Sequence, residues 1–194
     1  MRILEAAREV FVADPDAPVS AVAARAKVGI SALYRRYPSK EDLLRQLARD
    51  GLQRYIDEAE AAVADEGDAW EAFEGFMSRI LDAEVHAITI NLAGTFTPTP
   101  DLIEASGRAA ELNRTIVART KASGGLRPDI DVDDLSLILE QVSAIRIGGE
   151  RRTKALRHRY LALFLAGLKV TAPALPGPPP RPEELASRWA PRRR

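Results

Sequence analysis

The clearest structural signal in this chain comes from residues 22–44, which read VAARAKVGISALYRRYPSKEDLL. Small and apolar residues recur at helical spacing on both sides of the tripeptide 27–29, so the pattern predicts two short helices joined by a tight turn. Pro38 ends the second helix because proline has no amide hydrogen with which to continue it. Two short helices separated by such a turn are typical of a helix-turn-helix.

A third helix is predicted immediately before this pair. Residues 2–12 carry an apolar stripe at helical spacing, and the segment 14–18 then interrupts the helix with two prolines. Ala23 and Ala26 are small enough for the following helices to cross closely, which leaves the third helix to project into the major groove of DNA. We therefore expect a three-helix DNA-binding domain over residues 1–48.

The remainder of the chain also has helical periodicity, so the sequence predicts an all-α protein. Ser39 is expected to cap a long helix that continues to about residue 63, because serine accepts hydrogen bonds from first-turn amides. Further helices are predicted from about Trp70 and over 101–122, 132–147 and 155–170. These helices would form a second domain over residues 49–171. Residues 172–194 contain many prolines and arginines, which predicts a polyproline-like or disordered tail outside the core.

Charge is distributed unevenly, although the net formal charge is zero. Residues 1–55 hold 10 Lys and Arg against 7 Asp and Glu, residues 56–150 hold 7 against 19, and residues 151–194 hold 11 against 2. The segment 17–40 contains five basic residues and no acidic one. A local basic patch on a neutral chain indicates phosphate contact, and the acidic middle would repel DNA.

Several function classes are disfavoured by composition. The chain has no cysteine and two histidines far apart in sequence, His86 and His158, which argues against thiol chemistry and a histidine metal site. No carboxylate–histidine motif such as HExxH occurs, so an enzyme is a remote alternative and no cofactor is expected. No apolar run reaches about 18 residues, the length needed to span a membrane. The acidic residue Glu5 lies close to the N-terminus, which argues against a secretory signal peptide. We therefore expect a cytoplasmic protein without a membrane span.

The stretch around the turn resembles the signature of the tetracycline-repressor (TetR) family of transcriptional regulators. The most specific part is Leu33-Tyr34-x-x-Tyr37-Pro38-Ser39-Lys40-Glu41, followed by paired leucines. The resemblance implies a helical domain for ligand binding and dimerisation behind the DNA-binding domain. It also implies phosphate contacts by Tyr34, Arg36 and Lys40 and base contacts around Ile30, Ser31 and Arg35. The predicted DNA-binding residues are Lys27, Gly29, Ile30, Ser31, Tyr34, Arg35, Arg36 and Lys40.

Three positions depart from the usual family pattern. Lys27 stands where the turn most often has glycine, so either its φ stays negative or some strain is accepted. Gly29 replaces a common Ser or Thr N-cap, and Ala32 replaces a frequent threonine. The candidates for reading bases are therefore few. Arg35 is the first choice because arginine is the usual reader of guanine.

The resemblance is looser over residues 51–170, where one connector, residues 125–131, is similar to that of many family members. The last two predicted helices, 132–147 and 155–170, would pack against their copies as a four-helix dimer interface. An equally weighted alternative is that their apolar stripes belong to the internal core, and some residues should serve each role. The candidate interface residues are Leu139, Val142, Ile145, Leu161, Phe164, Leu165 and Leu168.

The family also implies a pocket for a small hydrophobic effector, although most of its candidate residues would equally suit a plain core. His86 could orient a polar ligand atom or serve as a hydrogen-bonded structural histidine. The leading interpretation is a ligand-responsive repressor that binds a pseudo-palindromic operator as a homodimer. A DNA-binding regulator without a small-molecule effector is the alternative, which a filled interior would favour. The candidate pocket residues are Phe73, Phe76, Met77, Ile80, His86, Leu92, Phe96 and Leu112.

Overall fold

The computed structural model describes residues 2–14, 16–84, 96–170 and 175–186. Within these ranges the protein is all-α, as predicted, and its only β-type pairing is an isolated bridge between Leu126 and Lys169. The helices are α1 (Arg2–Ala13), α2 (Val19–Ala26), α3 (Ile30–Arg36), α4 (Lys40–Ala64), α5 (Ala69–Asp82), α6 (Pro100–Ala122), α7 (Val132–Ser143), α8 (Glu150–Leu168) and α9 (Pro182–Ala186). None of the helices described is long and apolar enough to cross a membrane.

The first three helices and the start of α4 share one apolar core. Phe11, Val22, Leu33 and Leu43 are almost completely buried in it. The predicted small residues Ala23 and Ala26 are buried at the contact between α2 and its neighbours, where their lack of bulk permits close approach. Burial of this apolar surface is the main stabilising contribution to so small a unit.

The turn between α2 and α3 is held by a residue in the left-handed region. Lys27 has a φ of 55° and a ψ of 46°, and its amide donates a hydrogen bond to the Ala24 carbonyl at 3.1 Å. The next amide, of Val28, donates to the Ala23 carbonyl at 3.0 Å. Of the two alternatives expected for Lys27, a negative φ or a strained positive φ, the chain adopts the second, because the turn requires a positive φ.

Helix α4 joins the two domains and belongs to both of their cores. Its first turn is capped as predicted, since the Ser39 hydroxyl accepts the Asp42 amide hydrogen at 3.0 Å. Leu44 and Leu47 lie in the core of the DNA-binding domain, whereas Ala59 and Ala62 lie in the core of the body. One uninterrupted helix therefore connects the two units.

The body is a bundle in which α5 is the central helix. Phe73, Phe76, Met77 and Ile80 are at most 2% exposed and pack in one cluster with residues of α4, α6, α7 and α8. Asp131 begins α7 with a reciprocal capping box in which Asp134 accepts the Asp131 amide hydrogen at 2.8 Å. This cap fixes the first turn of α7, because it pairs amide hydrogens at the helix start that have no partner within the helix.

The bounds of the last two long helices differ from the prediction. Helix α7 ends at Ser143 rather than near residue 147, and α8 begins at Glu150 rather than near 155. Arg157 explains the early end of α7, because its guanidinium donates hydrogen bonds to the carbonyl oxygens of Ser143 at 2.9 Å and Ile145 at 3.2 Å. Gly148, with a φ of 70°, turns the chain before α8. The basic stretch that was expected to precede α8 forms its first turns.

Residues 175–186 form a segment that we call the strap. The Leu175 amide donates a hydrogen bond to Asp129 Oδ2 at 2.9 Å, and the short helix α9 ends the segment. Pro179 and Pro180 are half-buried. The part of the tail described by the structure is therefore docked on the body rather than disordered, and it contains one helical turn.

Replacement of Lys27 by glycine is expected to stabilise the protein by about 1 kcal/mol, because glycine adopts a positive φ without a Cβ clash. The measurement is the free energy of unfolding in urea. Lys27→Ala is the matched control, since it also removes the charge but keeps the Cβ. Equal stabilities of the glycine and alanine variants would show that residue 27 carries no such strain.

Candidate nucleic-acid interface and helical body

Helix α3 presents a polar and partly apolar face to solvent. Ile30 is 40% exposed and Tyr34 is 45% exposed, while Ser31, Arg35 and Arg36 are also exposed. The two remaining large side chains point the other way, since Leu33 is 0% exposed and Tyr37 is 7% exposed. This division leaves the residues predicted to contact DNA on the outward face of the helix.

The two arginines of α3 differ in their surroundings. Arg35 has no hydrogen-bond or ion-pair partner within the described parts of the chain. The Arg36 guanidinium lies 5.8 Å from the centre of the Tyr37 ring, a distance at which a cation–π attraction holds it loosely. Arg35 therefore keeps all its donors available for a base edge, whereas Arg36 is held near the end of the helix.

The start of α3 is open. Gly29 is the N-cap residue and contributes no side-chain hydrogen bond, and a Cβ added there would meet no atom within 4 Å. No side chain therefore caps the first-turn amides of α3, so they remain accessible to a phosphate oxygen.

Lys40 has a structural role that sequence reasoning missed. Its ammonium donates a hydrogen bond to the Ala17 carbonyl at 3.0 Å and lies 5.2 Å from the centre of the Phe11 ring. These contacts tie the start of α4 to the α1–α2 connection. An ammonium has three donors, so a phosphate contact through another hydrogen remains compatible with this position at the helix N-terminus.

The acid-free basic segment is less positive in the fold than in the sequence. Arg25 of α2 forms an ion pair with Glu9 of α1 at 2.5 Å, and both side chains are exposed. Glu9 lies outside the segment 17–40, so no pattern within that segment could have indicated it. Among the described residues, the basic side chains of this segment without an acidic partner are Lys27, the two arginines at the end of α3, and Lys40.

Two contacts connect the DNA-binding domain to the far end of the body. Arg8 Nη1 donates to the Ala83 carbonyl after α5 at 3.4 Å, and Arg146 Nη2 donates to the Val12 carbonyl at 3.1 Å. Arg157 is 7% exposed and pairs with Glu84 at 2.8 Å in the same region. The ends of α5 and α7 are thereby held against α1.

The predicted effector-pocket residues differ in their surroundings. Phe73, Phe76, Met77 and Ile80 are packed core, enclosed by four other helices, and Leu112 is half-buried against the same cluster. Phe96 is buried and lines a cavity. Their contact with a ligand stays a prediction. His86 and Leu92 lie outside the described residues.

Two cavities lie along the seam between α4 and α6. The junction cavity has a volume of about 240 Å³ and is lined by Ala48, Leu52, Phe96, Leu102 and Ile103, among others. The strap cavity has a volume of about 300 Å³ and lies between α4, α6, α7 and Pro182 of the strap. Leu52 and Ser106 line both, so the two cavities are neighbours.

Polar groups are concentrated in the strap cavity. The Tyr55 hydroxyl donates to Asn113 Oδ1 at 2.9 Å, and burial raises the pKa of Tyr55 to about 12 against the opposing effect of that bond. The pKa of Asp133 is also raised, first by burial and then by neighbouring carboxylates that include Glu183 of the strap. Tyr55 is therefore neutral at physiological pH.

The residues predicted for a dimer interface divide into two groups. Phe164 is 39% exposed and Ile145 is half-buried. The other five are buried in the protomer's own core: Leu139, Val142, Leu161, Leu165 and Leu168. Tyr160, which is 45% exposed, and Leu163, which is 59% exposed, share the outward face of α8 with Phe164 and were not among the candidates. The signal for this face was a second apolar stripe at the same helical spacing.

Metal chemistry has no evident site in the part of the chain that the structure describes. No group of three or more His, Cys, Asp or Glu side chains there is placed to hold a metal ion. His158 Nε2 instead lies 2.7 Å from Asp82 Oδ1 on the surface of the body.

Comparison with known proteins agrees with this geometry. Residues 3–47 match the family model described as bacterial regulatory proteins, tetR family. No curated protein matches the chain in sequence.

Among solved structures, a TetR transcriptional regulator from Streptomyces coelicolor is 24% identical, with 88% of this chain and 98% of that chain covered and a TM-score of 0.59. A TetR regulatory protein from Mycobacterium vanbaalenii is 25% identical, with 87% and 93% covered and a TM-score of 0.57.

A third similar structure is the TetR-like regulator LfrR from Mycobacterium smegmatis in complex with proflavine. It is 23% identical, with 90% of this chain and 97% of that chain covered and a TM-score of 0.67. These likenesses extend the shared fold from the first domain through the helical body. With residues 3–47 matched to the family model and the outward face of α3 exposed, the N-terminal domain of this chain is a DNA-binding domain of the tetR family, and the chain is a DNA-binding transcriptional regulator.

Proposed function

We propose that this regulator is a cytoplasmic homodimeric repressor that binds a pseudo-palindromic operator and releases it when a small apolar or amphipathic effector binds. The observation that carries the effector part is the position of the junction cavity. Phe96 and Leu102 line this cavity and also belong to the core of the DNA-binding domain, together with Leu44 and Leu47 of α4. A ligand there contacts the reading domain's own core.

In this proposal α3 is the recognition helix. Arg35 reads a guanine, because its guanidinium is exposed and unengaged and arginine is suited to the guanine O6 and N7 pair. Ile30 and Ser31 contact neighbouring base edges. Phosphates are contacted by the Gly29 amide region and by the side chains of Lys27, Tyr34, Arg36 and Lys40.

The proposed dimer uses the exposed face of α8. Tyr160, Leu163, Phe164 and Gly167 recur at spacings of three and four residues, so they share one side of the helix. Three of them are large apolar or aromatic side chains, each at least 39% exposed. When α8 packs side by side with α8 of a second copy, an apolar stripe of this kind supplies the centre of the interface.

Effector release follows from differential binding to two dimer geometries. Two recognition helices must lie about one helical turn of DNA apart to enter successive major grooves. A ligand that fits the junction cavity only when Phe96 and Leu102 shift relative to α4 favours a dimer with another spacing. The relative LfrR was solved with proflavine bound, which supports a small-molecule effector here.

One observation favours a second candidate, a DNA-binding regulator without an effector. The interior around Phe73, Phe76, Met77 and Ile80 is filled. A filled interior leaves no space for an effector among these residues. The response of the junction cavity to a bulky substitution distinguishes the two.

The DNA-binding roles are tested by titration against DNA from the regulator's own upstream region at several salt concentrations. Arg35→Ala should cost about 1–3 kcal/mol at the preferred site and relax specificity there. Lys40→Met should weaken binding to all sequences alike and reduce the salt slope by about one unit, while its chain still covers Phe11. Arg108→Ala, on the acidic body, is the matched control and should change neither. Equal loss of affinity in the Arg35 and Arg108 variants would contradict the assignment.

The interface is tested by sedimentation of Leu163→Glu, which should weaken dimerisation about a hundredfold because a carboxylate would be buried without a partner. Ile103→Glu is the control, since Ile103 is 62% exposed on α6 and its substitution should leave the dimer intact. If the Leu163→Glu protein dimerises as strongly as the parent, the exposed face of α8 is not the dimer interface.

The effector site is tested by Ser106→Phe, which adds a ring at one of the two residues that line both cavities. Binding of the neutral fluorescent probe N-phenyl-1-naphthylamine should weaken about tenfold or more, because the ring occupies space the probe needs. Operator affinity without probe should be unchanged, and Ser106→Ala should behave like the parent. If the probe binds the parent and the phenylalanine variant equally, the seam between α4 and α6 is not the effector site.

A further inference from the structure

We propose that the strap, residues 175–186, is a gate that closes the outer end of the effector site, so that a ligand enters or leaves the strap cavity only when this segment lifts. The inference rests on the effector function proposed above and adds to it the route and the control of access. The juxtaposition that carries it is Pro182 of the strap, which lines the strap cavity together with Leu52 and Tyr55 of α4.

One end of the strap is anchored by a charged hydrogen bond. The Leu175 amide donates to Asp129 Oδ2 at 2.9 Å, and the same carboxylate receives Arg127 Nη2 at 2.8 Å. Arg127 is 4% exposed and also donates to the Gly167 carbonyl at 3.3 Å. The guanidinium and the Leu175 amide hold the pKa of Asp129 well below its usual range. The anchor point is therefore a fixed anion on the body.

The rest of the described strap contacts the body through its prolines. Pro179 and Pro180 are half-buried and carry no amide hydrogen to donate. Helix α9 has only five residues, too few to be stable by itself. Glu183 lies close enough to raise the pKa of Asp133 beneath it, so like charges oppose closure. Among the described residues, the Leu175 hydrogen bond and the packing of the prolines favour the closed state, and carboxylate repulsion favours the open one, which is the balance that a gate requires.

The cavity beneath the strap is suited to an amphipathic ligand. Leu52, Ala109 and Val132 line it with apolar surface, while Asn113 and Ser136 supply hydrogen-bonding groups. Arg114 and Asp133 add one charge of each sign to the lining. Since Leu52 and Ser106 also line the junction cavity, the apolar part of a long ligand can reach toward the DNA-binding domain while its polar end stays under the strap.

The gate is tested by the accessibility of a cysteine placed beneath it. The chain has no cysteine, so Ser136→Cys introduces a single thiol into the strap cavity, and its alkylation rate reports opening. In the full chain, Leu175→Pro removes the donor of the anchoring bond. Loss of one hydrogen bond to a charged acceptor should shift opening, and hence the Ser136→Cys labelling rate, about tenfold upward.

Two controls isolate the effect. Leu175→Ala keeps the amide hydrogen and should leave the labelling rate at the value of the Ser136→Cys chain alone. Ser78→Cys, on α5 and away from the strap cavity, should label at the same rate with and without Leu175→Pro. A chain that ends at residue 174 provides a second way to remove the strap, and it should label at Ser136→Cys at least as fast as the proline variant. Unchanged labelling at Ser136→Cys in both strap variants would overturn the proposal.

Probe kinetics separate this inference from the function beneath it. The dissociation rate of N-phenyl-1-naphthylamine should rise severalfold in the Leu175→Pro chain, because exit then needs less strap opening. Faster cysteine labelling with no ligand-induced loss of operator binding would leave the gate standing and remove the effector function. Loss of operator binding on ligand addition with unchanged labelling would do the reverse.

Discussion

The structure depends on the continuity of α4 through two cores. Leu44 and Leu47 are fixed among the helices that read DNA, and Ala59 and Ala62 are fixed among the helices of the body. A helix is stiff over the distance between these groups, so the two domains cannot move independently without a change in packing at one of them. Phe96 and Leu102 strengthen this constraint, because they return from the body side to the core of the DNA-binding domain.

This shared packing gives physical content to regulation. The junction cavity adjoins the residues that position α4, while Arg8 and Arg146 hold the other side of the DNA-binding domain to the ends of α5 and α7. The DNA-binding domain is thus held at two contacts, and the distance between these contacts depends on the packing of the body. A ligand does not need a pathway of many residues to affect DNA binding, because its cavity is lined by residues of that domain's core.

The fold and the reading surface could be predicted from local patterns. The helix-turn-helix, the Ser39 cap and the inward Leu33 and Tyr37 follow from periodicity and capping within about 25 residues. The position of the proposed effector site could not be predicted in this way. The sequence pattern around Phe73 and Phe76 is the same whether these residues fill a core or line a pocket. Only the placement of α6 and the strap shows where space remains. The burial of Leu139 and Leu161 likewise depends on which of two stripes faces the protomer, and the end of α7 depends on Arg157 from another helix.

The most direct test of the account is selection of binding sites by the purified full chain from a pool of random DNA duplexes. The account predicts an enriched inverted repeat whose half-site centres are about 10 base pairs, or a multiple of one helical turn, apart. Such a result would join the recognition helix, the dimer and its spacing in a single observation. Enrichment of an unrepeated sequence would contradict the dimeric operator complex, and no enrichment above the random pool would contradict sequence-specific reading by α3.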